Sequence, residues 1–206
     1  MRWISGVSRG RLGLISVMLA ATSLSACVQT APEEAMSFAA PPMQWDHHPQ
    51  AEEWTESTLV ALSTKDPILS EHVPADIESW CPGYAEAPVE ERRAFWAGLL
   101  SAVARYESTW NPAASGGGGR WIGLMQISPR SAANYGCEAT SVNALKDGEQ
   151  NLECAVEIMS TQVAKDGMVA GGGNRGIGRD WAPLRSSEKR AAMAAWTREQ
   201  PYCQAG

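Results

Sequence analysis

Apolar positions along the chain fall into segments of different period, and the strongest pattern lies between residues 88 and 108. Phe95, Trp96, Leu99, Leu100, Val103 and Tyr106 recur there at helical spacing; at about 100° per residue they share an arc of roughly 140°. Pro88 suits a first helical turn, and Glu90 and Glu91 suit its positive end, so the pattern predicts a helix over 88–108. Shorter helical patterns cover 53–63, 129–135, 147–166 and 187–199, while strand-like composition is confined to Trp121–Ile127. The expected architecture is mostly α with a small β element, in one domain over 52–206.

The first 26 residues belong to a different kind of segment. Arg2, Arg9 and Arg11 precede an uncharged run from Leu12 to Leu24, which has the length of a signal-peptide core and is too short for a membrane span. Leu24-Ser25-Ala26-Cys27 then resembles the lipobox of bacterial lipoproteins. That resemblance implies a signal peptide over 1–26, cleavage before Cys27 and lipidation of its thiol. It also implies a lipid anchor in the membrane, and Val28 after the cysteine points to the periplasmic face of an outer membrane. Residues 27–51 read as a lipidated cysteine and tether: Ala39-Ala40-Pro41-Pro42 is stiff, His47-His48-Pro49 is turn-like, and no apolar period runs through them.

Charge and cysteines narrow the function classes. The chain has 206 residues and a net charge of −6, so no basic field is available to concentrate on polyphosphate and a nucleic-acid partner is disfavoured. Apart from Cys27, the cysteines are Cys81, Cys137, Cys154 and Cys203, an even number in a chain that carries an export signal. Two disulfides are expected, and three pairings are possible. Cys81 with Cys203, which bracket the domain, and Cys137 with Cys154, 17 residues apart, form the favoured pair of bridges. No cysteine or histidine spacing suggests a metal. Gly171 to Gly176 matches a GxGxxG pattern formally, but no strand precedes it and no acidic partner follows at the right distance, so it gives a dinucleotide site poor support.

The chemistry is carried by Glu107. It falls within the apolar arc of the 88–108 helix and at its C-terminal end, where the helix dipole disfavours negative charge. Desolvation and the dipole both raise its pKa, as a general acid working near neutral pH requires. After it come Ser108-Thr109-Trp110-Asn111-Pro112, a glycine-rich loop, Gly123-Leu124-Met125-Gln126-Ile127, and Asp147-Gly148-Glu149-Gln150-Asn151-Leu152. These three segments, in this order and spacing, resemble the lytic transglycosylases with the lysozyme-like SLT domain. The resemblance implies a lysozyme-like fold, Glu107 as the catalytic acid and base, Ser108 supporting it, and Gly123, Met125 and Gln126 at the glycan groove. The Asn151 helix is implied to pack beneath the catalytic helix. Trp110, Trp121 and Tyr135 fit sugar stacking and core packing equally well. The chain departs from the family at Val169 to Gly176, where many members carry a tyrosine before an asparagine; Asn174 stands in part of that motif, without the tyrosine.

No second acid accompanies Glu107 in the Ser108–Pro112 and Gly123–Ile127 segments, Glu138 and Asp147 being the nearest downstream of it. A two-carboxylate hydrolysis is therefore less well supplied than a single-acid route in which the substrate provides its own nucleophile. The resemblance implies cleavage of the MurNAc-GlcNAc β-1,4 bond of peptidoglycan glycan strands, giving 1,6-anhydroMurNAc ends, by a monomer that needs no cofactor. A hydrolytic lysozyme and a non-catalytic peptidoglycan-binding lipoprotein are the alternatives.

Overall fold

The computed structural model describes residues 40–65 and 67–204; the expected signal segment and Cys27 lie outside them. The chain forms α1 (Ala51–Thr64), α2 (Pro67–Glu71), α3 (Val89–Glu107), β1 (Ser115–Gly116), β2 (Trp121–Ile122), α4 (Pro129–Tyr135), α5 (Val142–Leu145), α6 (Gly148–Asp166) and α7 (Ser187–Arg198), with short 3-10 turns between them. Helix bounds are set by local chemistry. Ser128, Asp147 and Ser186 each accept a backbone N–H bond in the first turn of α4, α6 and α7, and glycines 136 and 167 end α4 and α6 in the left-handed region.

α3 is the axis of the core, but not as a one-faced helix. Every residue from Ala94 to Ala104 is buried, because the side opposite the large apolar arc carries Ala94, Ala97, Gly98, Ser101, Ala102 and Ala104 and so admits close neighbours. A methyl group on Gly98 would overlap the Tyr202 hydroxyl. Tyr202 sits in the last 3-10 turn, Pro201–Cys203, and the Cys81–Cys203 bridge holds that turn against Trp80 and Cys81. Cys137–Cys154 joins the loop after α4 to α6, so both favoured pairings form. α1 packs on α6, with Trp54 against Gly148, and its buried residues are Trp54, Thr55, Thr58, Ala61 and Leu62.

The expectation of a tether up to residue 51 is corrected for its described part. Residues 40–50 fold onto the domain, with Met43 and Trp45 buried, Gln44 N donating to Ser101 Oγ (2.9 Å) and Trp45 Nε1 donating to Thr55 Oγ1 (2.9 Å). His47 and His48 are not linker residues either: their rings lie 4.7 Å from Trp110 and 4.5 Å from Trp54. The compact unit therefore includes residues 40–50 and does not begin at 52. Prolines removed any visible period from this stretch, while its aromatic side chains supplied the burial.

Candidate active site

α3 stops one residue before Ser108, whose N–H bonds back to Ala104 O (3.0 Å) and whose hydroxyl donates to the same carbonyl (3.3 Å). Thr109 and Trp110 then take φ of 54° and 56°. Left-handed backbone is costly for non-glycine residues, most of all for a β-branched threonine, and clustered outliers of this kind mark sites where the surroundings over-determine the chain. Here Trp110 supplies the constraint. Its indole N–H donates to Ser101 O (2.9 Å), and its ring packs edge-on with His47. Trp110 is thus an anchor for the helix end and not an open stacking surface.

Glu107, the last residue of α3, is left half-buried by this sharp exit. Burial pushes its carboxyl up to about 7, and the ammonium of Lys189 acts in the opposite sense. Lys189 reaches in from the first turn of α7 and lies 5.3 Å from the centre of the Tyr106 ring. Glu138 and Asp147 are engaged elsewhere: Glu138 faces Lys65 (3.5 Å), and Asp147 caps α6 through Gln150 N (3.0 Å).

The Gly-Leu-Met-Gln segment is a tight turn closed by the Ile122–Ile127 bridge, with N–H to O distances of 3.0 and 2.9 Å. Gln126 adopts φ 48°, the third positive value at a non-glycine residue, and its carboxamide N–H donates to Gly123 O (2.9 Å). Asn151 holds the turn from beneath. Fully buried, it accepts from Met125 N (2.9 Å) and donates to Ile122 O (3.0 Å) and Leu145 O (2.9 Å). This assigns a physical role to the asparagine of the third sequence segment: it pairs Met125 N, adds a second bond to Ile122 O and ties the turn to Leu145 O at the end of α5.

Two expected groove residues are placed differently. Met125 is fully buried, so its side chain packs in the core, and its polar contacts are made by main chain: the N–H donates to Asn151 and the carbonyl accepts from Trp181 Nε1 (3.0 Å). Gly123 is buried at φ 78°, and any side chain there would overlap Leu145 O and Asn151; its lack of a side chain serves packing on α6 and not approach to a sugar. Gln126 is partly exposed, which leaves it as the candidate groove residue of this segment.

The region that lacks the tyrosine is held by acids that sequence reasoning passed over. Asp76 accepts from Val169 N (2.6 Å), Ala170 N (3.1 Å) and Gly171 N (2.7 Å). Asp166 accepts from Gly176 N (2.7 Å) and pairs with the Arg179 guanidinium (2.6 and 2.9 Å), whose hydrogen bonds hold the carboxyl down at about 2. No tyrosine fits before Asn174, because Gly173 is buried at φ 102° with Leu184 O and Arg190 Nη1 where a side chain would begin. Asn174 itself is exposed on this loop, and none of the described hydrogen bonds joins it to Glu107. Tyr135 is also structural, donating to Asp180 (3.0 Å) and accepting from Gln162 (2.5 Å). No local motif signals these ties, since each acid and its partner are separated by at least 10 residues in sequence.

Comparison with known proteins agrees with the geometry. The family model described as Transglycosylase SLT domain matches residues 87–195, which include α3, the hairpin, the Gly123–Ile127 turn and α6. Among solved structures the chain is similar to a glutamate-to-glutamine mutant of Bd0314 DslA (29% identity, TM-score 0.74) and to its wild-type form 2 (29%, TM-score 0.73). Each match covers 81% of this chain and 100% of the other. No curated protein matches significantly. Members of the matched family are lytic transglycosylases, and the fold is lysozyme-like. With more than half of its length matched around one desolvated acid, the chain belongs to the Transglycosylase SLT domain family.

Proposed function

We propose that the protein is a peptidoglycan lytic transglycosylase that cleaves the MurNAc-GlcNAc β-1,4 bond without water and leaves 1,6-anhydroMurNAc ends. The observation that carries this reading is Glu107: a single carboxyl raised to about 7 by burial, with a lysine as the charged group acting on it. Protonated, it donates to the departing glycosidic oxygen while the N-acetyl carbonyl oxygen of the substrate closes on C1. As carboxylate, it then takes the proton of the same sugar's 6-hydroxyl, whose oxygen attacks C1 and reopens the acetamido ring. One group near neutral pKa serves both proton transfers, and holding both reactive groups on one sugar lowers the entropic cost of the second step. Gln126 supports the groove with a carboxamide whose remaining capacity suits N-acetyl and hydroxyl groups.

Mass spectrometry of digested sacculi tests the proposal. Anhydro-muropeptides are the expected product; reducing muropeptides would instead indicate a hydrolytic lysozyme, and binding without release a non-catalytic protein. Export and anchoring are part of the proposal: lipidated Cys27 tethers a monomeric domain to the outer membrane, facing the periplasm. Cys27→Ala is expected to move the protein from the membrane fraction to the soluble one, and unchanged fractionation would refute the anchor.

A further inference from the structure

Trp121 is the most exposed aromatic side chain among the described residues, with 44% of its surface open. A single exposed apolar residue is ordinary on a protein surface. Its placement is not. Gly116 and Trp121 stand directly opposite each other in the β1–β2 pair, so their Cβ directions leave the same face of the hairpin about 5 Å apart. On Gly116 that direction points at the Gln126 carboxamide, whose Oε1 lies 2.5 Å from where a Cβ would sit. The indole and the groove carboxamide therefore share one face. The ring is also held close to the turn: the four residues fold back through Gly119 N and Arg120 N, both bonded to Gly116 O (3.0 Å), and bring Gly117 up against the six-membered ring. A side chain on Gly117 would overlap the indole.

We propose that Trp121 is a stacking platform for a pyranose ring of the glycan strand, one position outward from the sugar that Gln126 contacts. A pyranose offers an apolar C–H face, and a rigid indole backed by main chain offers the matching surface at low entropic cost. Arg120, whose guanidinium lies 5.3 Å from the ring centre, is exposed on a flexible stem and yields the ring to the sugar.

This inference rests on the peptidoglycan-cleaving reading, and its test separates the two. Full-length protein carrying Glu107→Gln is titrated with peptide-free glycan strands of alternating GlcNAc and MurNAc, so that binding is read without cleavage. Adding Trp121→Ala is expected to raise Kd about tenfold, and Trp121→Phe about threefold or less. Arg120→Ala is expected to stay within about twofold of the parent, because the contact is stacking and not charge. Parent-like binding by Trp121→Ala would overturn the platform, as would an Arg120→Ala loss equal to that of Trp121→Ala. Should Trp121→Ala unfold the hairpin, Trp121→Phe decides alone, since a tenfold loss with the ring retained would contradict stacking. If wild-type protein releases nothing from sacculi and the Glu107→Gln parent binds no strands, it is the underlying reading that fails.

Discussion

The two glycine runs look alike in sequence and do different things in space. Gly117, Gly118 and Gly119 take φ of 57°, 70° and 89°, and a methyl group on Gly118 would meet nothing within 4 Å. Glycine is required at Gly118 by backbone conformation alone, while Gly117 also leaves room for the Trp121 ring. In the second run left-handed backbone recurs, and the added need is for absence of volume against other main chain. Side chains on Gly173, Gly176 and Gly178 would overlap the backbone of Leu184, Met168 and Gly173 respectively, so main chain packs on main chain. Both regions converge on the Gly123–Ile127 turn, the hairpin through Gly116 under Gln126 and the later loop through Trp181 on Met125 O. One wall of the site is thus an exposed aromatic ribbon. The other is a compact knot tied by Asp76 and Asp166, which leaves no room for a tyrosine.

The largest expected effect tests whether both walls serve the same acid. Glu107→Gln is nearly isosteric but neither gives nor takes the proton, so muropeptide release is expected to fall by about 10²–10⁴-fold, about 3–5 kcal/mol in the barrier. Wild-type rates from a folded Glu107→Gln protein would break the assignment and leave the two walls facing something else. Next comes the contrast between the glycines. Gly176→Ala combines φ of 47° with overlap on two buried carbonyls and is expected to cost about 3 kcal/mol of stability. Gly118→Ala meets only the conformational penalty, about 1 kcal/mol. Urea unfolding of the two variants measures the gap, and equal losses would erase the distinction between the runs.

How far the sequence revealed this layout depends on the range of the interactions involved. Helical period and caps are local, so α3 over 89–107, α4 over 129–135 and α6 over 148–166 match expectation within a residue, and Glu107 could be placed on the apolar arc by arithmetic alone. The burial of Met125 was not legible, because a methionine in a turn motif looks the same whether it faces sugar or core. Asn151 was visible as part of a motif, but its three backbone bonds span 6 to 29 residues and emerge only from the fold. The left-handed Thr109, Trp110 and Gln126 contradict local propensity, which is why no sequence rule finds them and why they mark the site. Trp45 and the histidines beside it were hidden in a proline-rich stretch that shows no period and packs partly on α1, through Trp54 and Thr55, and partly on the distant Ser101 and Trp110.

The space between the walls is also accessible to titration. Glu107 titrates near 7 when folded and near the ordinary 4.5 when unfolded, so the unfolded chain loses its proton first and stability is expected to fall as pH rises from about 4 to 7. The loss from this group is about 3 kcal/mol, flat above that window, and absent in Glu107→Gln. Denaturation midpoints at pH 4.5 and 8 for both proteins measure it. A wild-type curve parallel to that of Glu107→Gln would mean the carboxyl is well solvated and the walls do not enclose it.

The smallest effect concerns the cation on the side of the compact wall. Lys189 favours the ionised form of Glu107 against the effect of burial, so Lys189→Ala is expected to move the alkaline limb of the kcat/KM profile upward. An exposed charge at this range contributes about 0.2–1 kcal/mol, so the limb should move by less than about one pH unit. The shift should shrink as salt screens the pair. Arg105 supplies the control: its guanidinium also lies against the Tyr106 ring, at 5.7 Å, but is not among the groups acting on Glu107. Arg105→Ala is expected to leave the limb where it is. An equal shift from both variants would mean that the acid senses a diffuse positive surface, whereas a shift from Lys189→Ala alone ties α7, and with it the compact wall, to the protonation of the Glu107 carboxyl.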